Sequence, residues 1–124
     1  MHKIIKSFQL VFSQSDGEGY LLTRDTAFWF QKQFTPKKED HCNPLVSPIY
    51  EVDLSNLAPA FILTAELDPL LDDGIAYHTK LKEAGNKVMF KEYKQLIHGF
   101  ISIPGVSRGA MEAFRDIRNF LGEL

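Results

Sequence analysis

A chain of 124 residues is of normal size for one domain and long enough to bury a core, and its 44% hydrophobic content is that of a globular protein, which argues against disorder. The 14 basic and 16 acidic side chains leave a formal net charge of −2, with no basic stripe for nucleic acid and no block of like charge. Ten phenylalanines are a high count and predict apolar surface that seeks cover.

In chain order, Met1-His2-Lys3-Ile4-Ile5-Lys6 lacks an apolar h-region and a small-residue cleavage site, so it is a poor signal peptide. No apolar run approaches membrane-spanning length. Residues 4–13 alternate weakly and suit either strand or helix, and Ser15-Asp16-Gly17-Glu18-Gly19 reads as a turn. Thr23 is placed to cap a helix over residues 24–34, with Ala27, Trp29, Phe30 and Phe34 as its apolar face and Asp25 in the favourable first turn. Thr35 to Pro48 is a polar connection punctuated by Pro36, Pro44 and Pro48, in which Lys37-Lys38-Glu39-Asp40 is solvated. Cys42, the only cysteine, excludes an internal disulfide and reads as a free loop thiol. These features together predict a cytoplasmic protein. Zinc is not expected, because neither a Cys-x-x-Cys nor a His-x-x-x-His pair is present. Asp53 or Ser55 is read as the cap of a short helical turn before Pro59.

The run Ala60-Phe61-Ile62-Leu63-Thr64-Ala65 predicts a strand buried on both faces, ended by Asp68-Pro69. Asp72 or Asp73 is read as the cap of a helix through about Ala84, with Ile75, Tyr77-His78 and Leu81 at helical spacing and Gly85 as its stop. Val88-Met89-Phe90-Lys91-Glu92-Tyr93 is the second strand. Ser107 caps a last helix with the apolar face Met111, Phe114, Ile117, Phe120 and Leu121. Strand, helix, strand, helix is a parallel βαβα unit of the α/β class. Two strands leave edges and an apolar face uncovered, so the unit is expected to be the last part of a larger parallel sheet, incomplete on its own.

Two turns carry chemistry. Asp68 in Glu66-Leu67-Asp68-Pro69-Leu70 and His98 in Leu96-Ile97-His98-Gly99-Phe100 each follow a strand, where open α/β sheets place ligands and catalytic groups. A carboxylate that orients an imidazole makes two members of a hydrolytic triad. On pattern alone a turn aspartate before proline and a loop histidine beside glycine are also ordinary local structure. His2, His41 and His78 lack partners at useful spacing and are read as surface residues.

Glu18-Gly19-Tyr20-Leu21-Leu22-Thr23-Arg24-Asp25, then Asn43-Pro44-Leu45-Val46-Ser47-Pro48, then the stretch from Leu57 through Asp68-Pro69-Leu70-Leu71-Asp72-Asp73-Gly74, resemble the hormone-sensitive-lipase-like esterases of the α/β-hydrolase fold. Tyr77, Leu81, Glu83-Ala84-Gly85 and Ile97-His98-Gly99-Phe100 continue the match in order, over roughly residues 15–124. The resemblance implies Asp68 as triad acid and His98 as triad base of a carboxylic ester hydrolase that acts on a small ester with neither metal nor organic cofactor. It implies an organisation of about 1–45 as a helical and loop segment and about 46–124 as the βαβα unit.

The family's oxyanion loop and G-x-S-x-G nucleophile elbow precede the matched region and are not placed here. The chain is therefore expected to be a C-terminal portion, not catalytic alone. Gly105-Val106-Ser107-Arg108-Gly109 satisfies the elbow pattern literally, but follows a poor strand and stands in the wrong order, so Ser107 is read as a helix cap. Ser15 lacks the first glycine of the pattern. Residues 20–34, with Tyr20, Phe28, Trp29 and Phe30, are read as core in preference to pocket wall. Two alternatives stand beside the esterase part: a non-enzymatic fragment that self-associates through its sheet edge and phenylalanine-rich face, with domain swapping as one route, and a split enzyme completed by a second chain.

Overall fold

The computed structural model describes residues 21–103, 105 and 107–124. The expected turn at 15–19, the ambiguous segment 4–13 and the residues Tyr20 and Ser15 lie outside them. Among the described residues five regular elements follow in order: α1 (Arg24–Phe34), β1 (Ala60–Leu67), α2 (Leu71–Glu83), β2 (Val88–Ile97) and α3 (Arg108–Gly122). Three short 3-10 turns, Lys38–Cys42, Pro48–Tyr50 and Phe100–Ser102, join them.

Thr23 caps α1 as its position predicts, its hydroxyl accepting from the Thr26 amide at 3.2 Å. The expected apolar face of α1 is not core. Ala27 is buried, whereas Trp29 and Phe30 are each 56% exposed and Phe34 is 77% exposed. Helical periodicity shows which side of a helix seeks cover and not whether a covering surface exists. Asp53 and Ser55 also differ from expectation. They form an Asx turn, Ser55 N–H donating to Asp53 Oδ1 at 2.9 Å, with no helix behind it. Asn56 then takes a left-handed φ of 55°, which halts helical continuation.

Among the described residues β1 and β2 form a two-stranded parallel sheet, with Ala60 opposite Val88 and Ala65 opposite Tyr93. α2 and α3 cover its opposite faces, as the period-two alternation of a strand buried on both sides requires. On one face α3 approaches closely because its contact residues are small. Ala110 and Ala113 are fully buried against Ala65, Tyr93 and Phe100, and Phe120 lies 5.6 Å from Phe61, ring to ring. The expected α3 face is corrected accordingly. Phe120 is buried and Ile117 half-buried, but Met111, Phe114 and Leu121 form a neighbouring strip that is exposed. Large residues drew the sequence pattern to the wrong strip, and the alanines carry the packing.

On the other face α2 lies against β1 at Gly74, where an added Cβ would sit 2.5 Å from Thr64 Cγ2. His78 stacks on Phe90 with centroids 5.0 Å apart, so it is packed and not the surface residue expected. Gly85 ends α2 with φ 84°, and the Asn86 amide donates back to Leu81 O. The start of α2 departs from expectation: Leu70 is the N-cap and has no side-chain cap bond, and Asp72 and Asp73 lie within the first turn. There their charges oppose the positive end of the helix.

Side chains of long sequence separation lock this unit. Lys91 Nζ pairs with Glu112 at 2.7 Å and with Asp116 at 2.6 Å, and the Tyr93 hydroxyl donates to Asp116 Oδ2 at 2.8 Å. At the far end of the sheet Asn86 donates to Leu54 O and accepts from the Leu57 amide. Lys80 Nζ donates to the carbonyls of Ile49 and Glu51 and ties the loop before β1 to α2.

Two predictions follow from this packing. The Lys91 ammonium, and after it the Tyr93 hydroxyl, hold the Asp116 carboxyl below its ordinary value. The contribution of Asp116 is therefore complete above the unfolded-state pKa of about 3.9 and is lost as the pH falls through the lower folded-state value. Asp116→Ala is expected to cost about 1–3 kcal/mol at pH 7, and less in acid, by denaturant melts at both pH values. The Thr64 hydroxyl is buried without a hydrogen-bond partner. Thr64→Val, which keeps the shape and removes the orphan group, is expected to stabilise by about 1 kcal/mol in the same melts.

Candidate active site

Both candidate residues stand just beyond the carboxyl ends of the two strands. The chain leaves β1 through a tight turn in which the Leu71 amide donates to Asp68 O at 3.0 Å. The Asp68 side chain closes the same turn, Oδ1 accepting from the Leu70 amide at 2.8 Å. Pro69 follows and is buried. The other oxygen, Oδ2, lies 2.8 Å from His98 Nδ1. With one oxygen fixed by backbone, the carboxylate can meet the imidazole only with the other, which removes its rotational freedom.

His98 leaves β2 in a different way. Gly99 behind it takes φ 74°, a left-handed conformation that a side chain resists, and turns the chain at once into Phe100–Ser102. Phe100 is buried in the core and anchors the turn. The Asp68 side chain is 14% exposed and that of His98 39%, so the carboxylate is shielded and the imidazole reachable. A carboxylate only accepts, so Nδ1 carries the proton of this contact, and in the neutral imidazole Nε2 keeps its lone pair.

His98 lines a cavity of about 390 Å³. Leu22, Ala27, Phe30, Phe34, Val46 and Leu70 give it apolar walls, with Gln31, Thr35, His41 and Ser47 completing it. An apolar cavity with a few polar groups suits a small organic ligand. Phe30 is thus pocket wall and not core, whereas Phe28 is half-buried and Trp29 lies exposed beside Phe30. His41, read as a surface residue from its spacing, is half-buried and shares this cavity, its Nε2 lying 3.0 Å from Thr35 O. No local signal in the sequence marks it, since the fold of the 38–42 turn brings it there. His2 lies outside the described residues.

Ser107 is the cap of α3, its hydroxyl 3.4 Å from the Ala110 amide. Its extended φ of −124° is unlike the strained turn of a nucleophile elbow. It lines a separate cavity that does not include His98. Gly109 is required for another reason: an added Cβ there would overlap Leu96 Cδ1. Cys42 is an exposed free thiol. Among the described residues no three His, Cys, Asp or Glu are grouped to hold a metal ion, and no helix is long and apolar enough to cross a membrane.

A parallel βαβα unit with an acid and an imidazole beyond its strand ends is an α/β arrangement of the hydrolase type. A family model described as the alpha/beta hydrolase fold matches residues 6–102, and the chain belongs to that family. It is 37% identical over 99 residues to an ethyl acetate hydrolase of Pseudomonas putida, covering 80% of this chain and 31% of that protein. It is 34% identical to the hormone-sensitive lipase of Mus musculus over 73 residues, 57% of this chain and 10% of that one. A solved esterase structure from Rhizomucor miehei superposes with a TM-score of 0.85 at 33% identity, over 94% of this chain and 36% of that chain. The chain spans about a third of the length of the first of these relatives.

Asp73 is a third carboxylate at this end of the sheet. Burial pushes its carboxyl above the ordinary aspartate value, and the charges of Asp72 and Asp68 push it further. Its ionised form therefore costs stability once the pH exceeds the folded-state value, and the cost is absent below the unfolded-state value of about 3.9. Asp73→Asn is expected to raise the melting temperature at pH 7, with the gain vanishing below about pH 3.9 in the same thermal melts.

Proposed function

We propose that this chain carries the acid and base of a carboxylic ester hydrolase, with Asp68 orienting His98 and His98 serving as general base. The observation that carries the reading is the 2.8 Å contact between His98 Nδ1 and Asp68 Oδ2 at the edge of an apolar cavity. The names of the relatives, an ethyl acetate hydrolase and a hormone-sensitive lipase among them, support the same class of reaction. The substrate is a small ester. His98 Nε2 takes the proton of a serine hydroxyl as its oxygen attacks the ester carbonyl, and Asp68 stabilises the imidazolium. His98 then gives that proton to the departing alkoxide, leaving an acyl-serine. The same base next activates water, which releases the acid and restores the serine.

The serine and the oxyanion donors belong, on this reading, to the part of the fold outside the matched third, and the chain alone is inactive towards esters. This reading also gives a cover to Trp29, Phe34, Met111, Phe114 and Leu121, which are 46–77% exposed. The same residues favour self-association of the isolated chain as a second reading, and sedimentation equilibrium separates the two by showing whether a second copy is bound.

Fluorophosphonate labelling followed by intact mass and peptide mapping tests the hydrolase reading. The expected result is no adduct on this chain alone. An adduct on Ser107 that disappears in His98→Ala would overturn it and make the chain a self-sufficient hydrolase with a rearranged triad.

A further inference from the structure

The two strands are not in constant register. From Ala60–Val88 through Ala65–Tyr93 the paired residues are 28 positions apart, but Leu67 pairs with Ile97, 30 positions away. Asp68 and His98 are also 30 apart. In the earlier register the residue level with Asp68 would be Leu96, an apolar side chain. Two extra residues of β2 opposite Glu66 thus bring an imidazole, and not a leucine, to the acid.

Such a slip has a conformational cost and needs anchors. Gln95 takes φ 57°, the left-handed region, which a residue with a side chain resists. On one side of the slip Leu96 packs against the core at the start of α3, where Gly109 leaves it room. On the other side Glu66, the residue the slip bypasses, reaches across. Its Oε2 accepts from the Gln95 amide at 2.8 Å, and its Oε1 lies 3.4 Å from Lys94 Nζ, which also pairs with Glu92 at 2.6 Å. The Gln95 amide is the chief cause that holds the Glu66 carboxyl below its ordinary value.

We propose that Glu66 is a positioning residue for His98, its carboxylate fixing the two-residue slip that sets the imidazole level with Asp68. The inference rests on the reading of Asp68 and His98 as acid and base. Glu66 does not touch the imidazole. It acts through the backbone of Gln95, three residues ahead of His98, and a charged acceptor holds that amide more firmly than a neutral one.

Proton–nitrogen correlation spectra of the isotope-labelled chain test this without any need for turnover. The parent should show a protonated His98 Nδ1 that exchanges slowly with water. Glu66→Ala should speed that exchange by about tenfold or more, together with that of the Gln95 amide. Glu66→Gln, which keeps an acceptor oxygen, should restore most of the protection. Asn86→Ala, which loosens the opposite end of the strands, should leave the His98 signal in place. Protection of His98 Nδ1 unchanged in Glu66→Ala, while the Gln95 amide opens, would overturn the proposal and leave the packing of Leu96 as the anchor. If Glu66→Ala does not fold, Glu66→Gln decides: the smaller rise in exchange expected of a neutral acceptor should appear at Gln95 and His98 together, and a rise at Gln95 alone, or at neither, would overturn it. A parent without a protonated Nδ1 would instead overturn the acid–base reading, and this inference with it.

Discussion

The parallel pairing of β1 with β2 is the constraint on which the rest depends. It sets Asp68 and His98 side by side at one end of the sheet, and its irregularity decides which side chains meet there. A parallel pair cannot be closed by a tight turn, so a crossover must join the strands, and α2 is that crossover. Its entry is built by the same aspartate that holds the histidine, since Asp68 uses one oxygen for the Leu70 amide and the other for the imidazole. The turn that starts the helix and the pair beyond the strands are one structure.

Packing on the two faces follows different rules. α3 lies close to the sheet because alanines meet the strands, and the network of Lys91, Tyr93, Glu112 and Asp116 holds it there. α2 lies close because Gly74 has no side chain to keep it away from Thr64. Among the described residues the exposed large apolar side chains include Trp29, Phe30 and Phe34 of α1 and the outer strip of α3.

Much of this was legible in the sequence wherever the signal was local. Thr23 and Ser107 as caps, Gly85 as a stop, the apolar run at Ala60 and the turns of Asp68 and His98 each needed only a few neighbouring residues. The failures share a different cause. The start of α2 depends on the Asp68 turn and not on Asp72 or Asp73, the inner face of α3 depends on how near a helix can come to a strand, and His41 reaches the cavity by the path of a loop. The slip at Glu66 was illegible because register is a property of two strands, and each alone reads as an unbroken run.

The Asp68–His98 contact closes a ring of chain only 30 residues long. Closing such a ring carries a modest entropic cost, which grows only slowly with length; α2 and β2 lie between the two residues, and β1 ends directly before Asp68. β1, α2, β2 and the Asp68–His98 pair are therefore one contiguous cassette. In kinetic terms the meeting of Asp68 and His98 is a short-range event, with few intervening residues to organise first. In genetic terms one short stretch of sequence carries both side chains and the strands that align them.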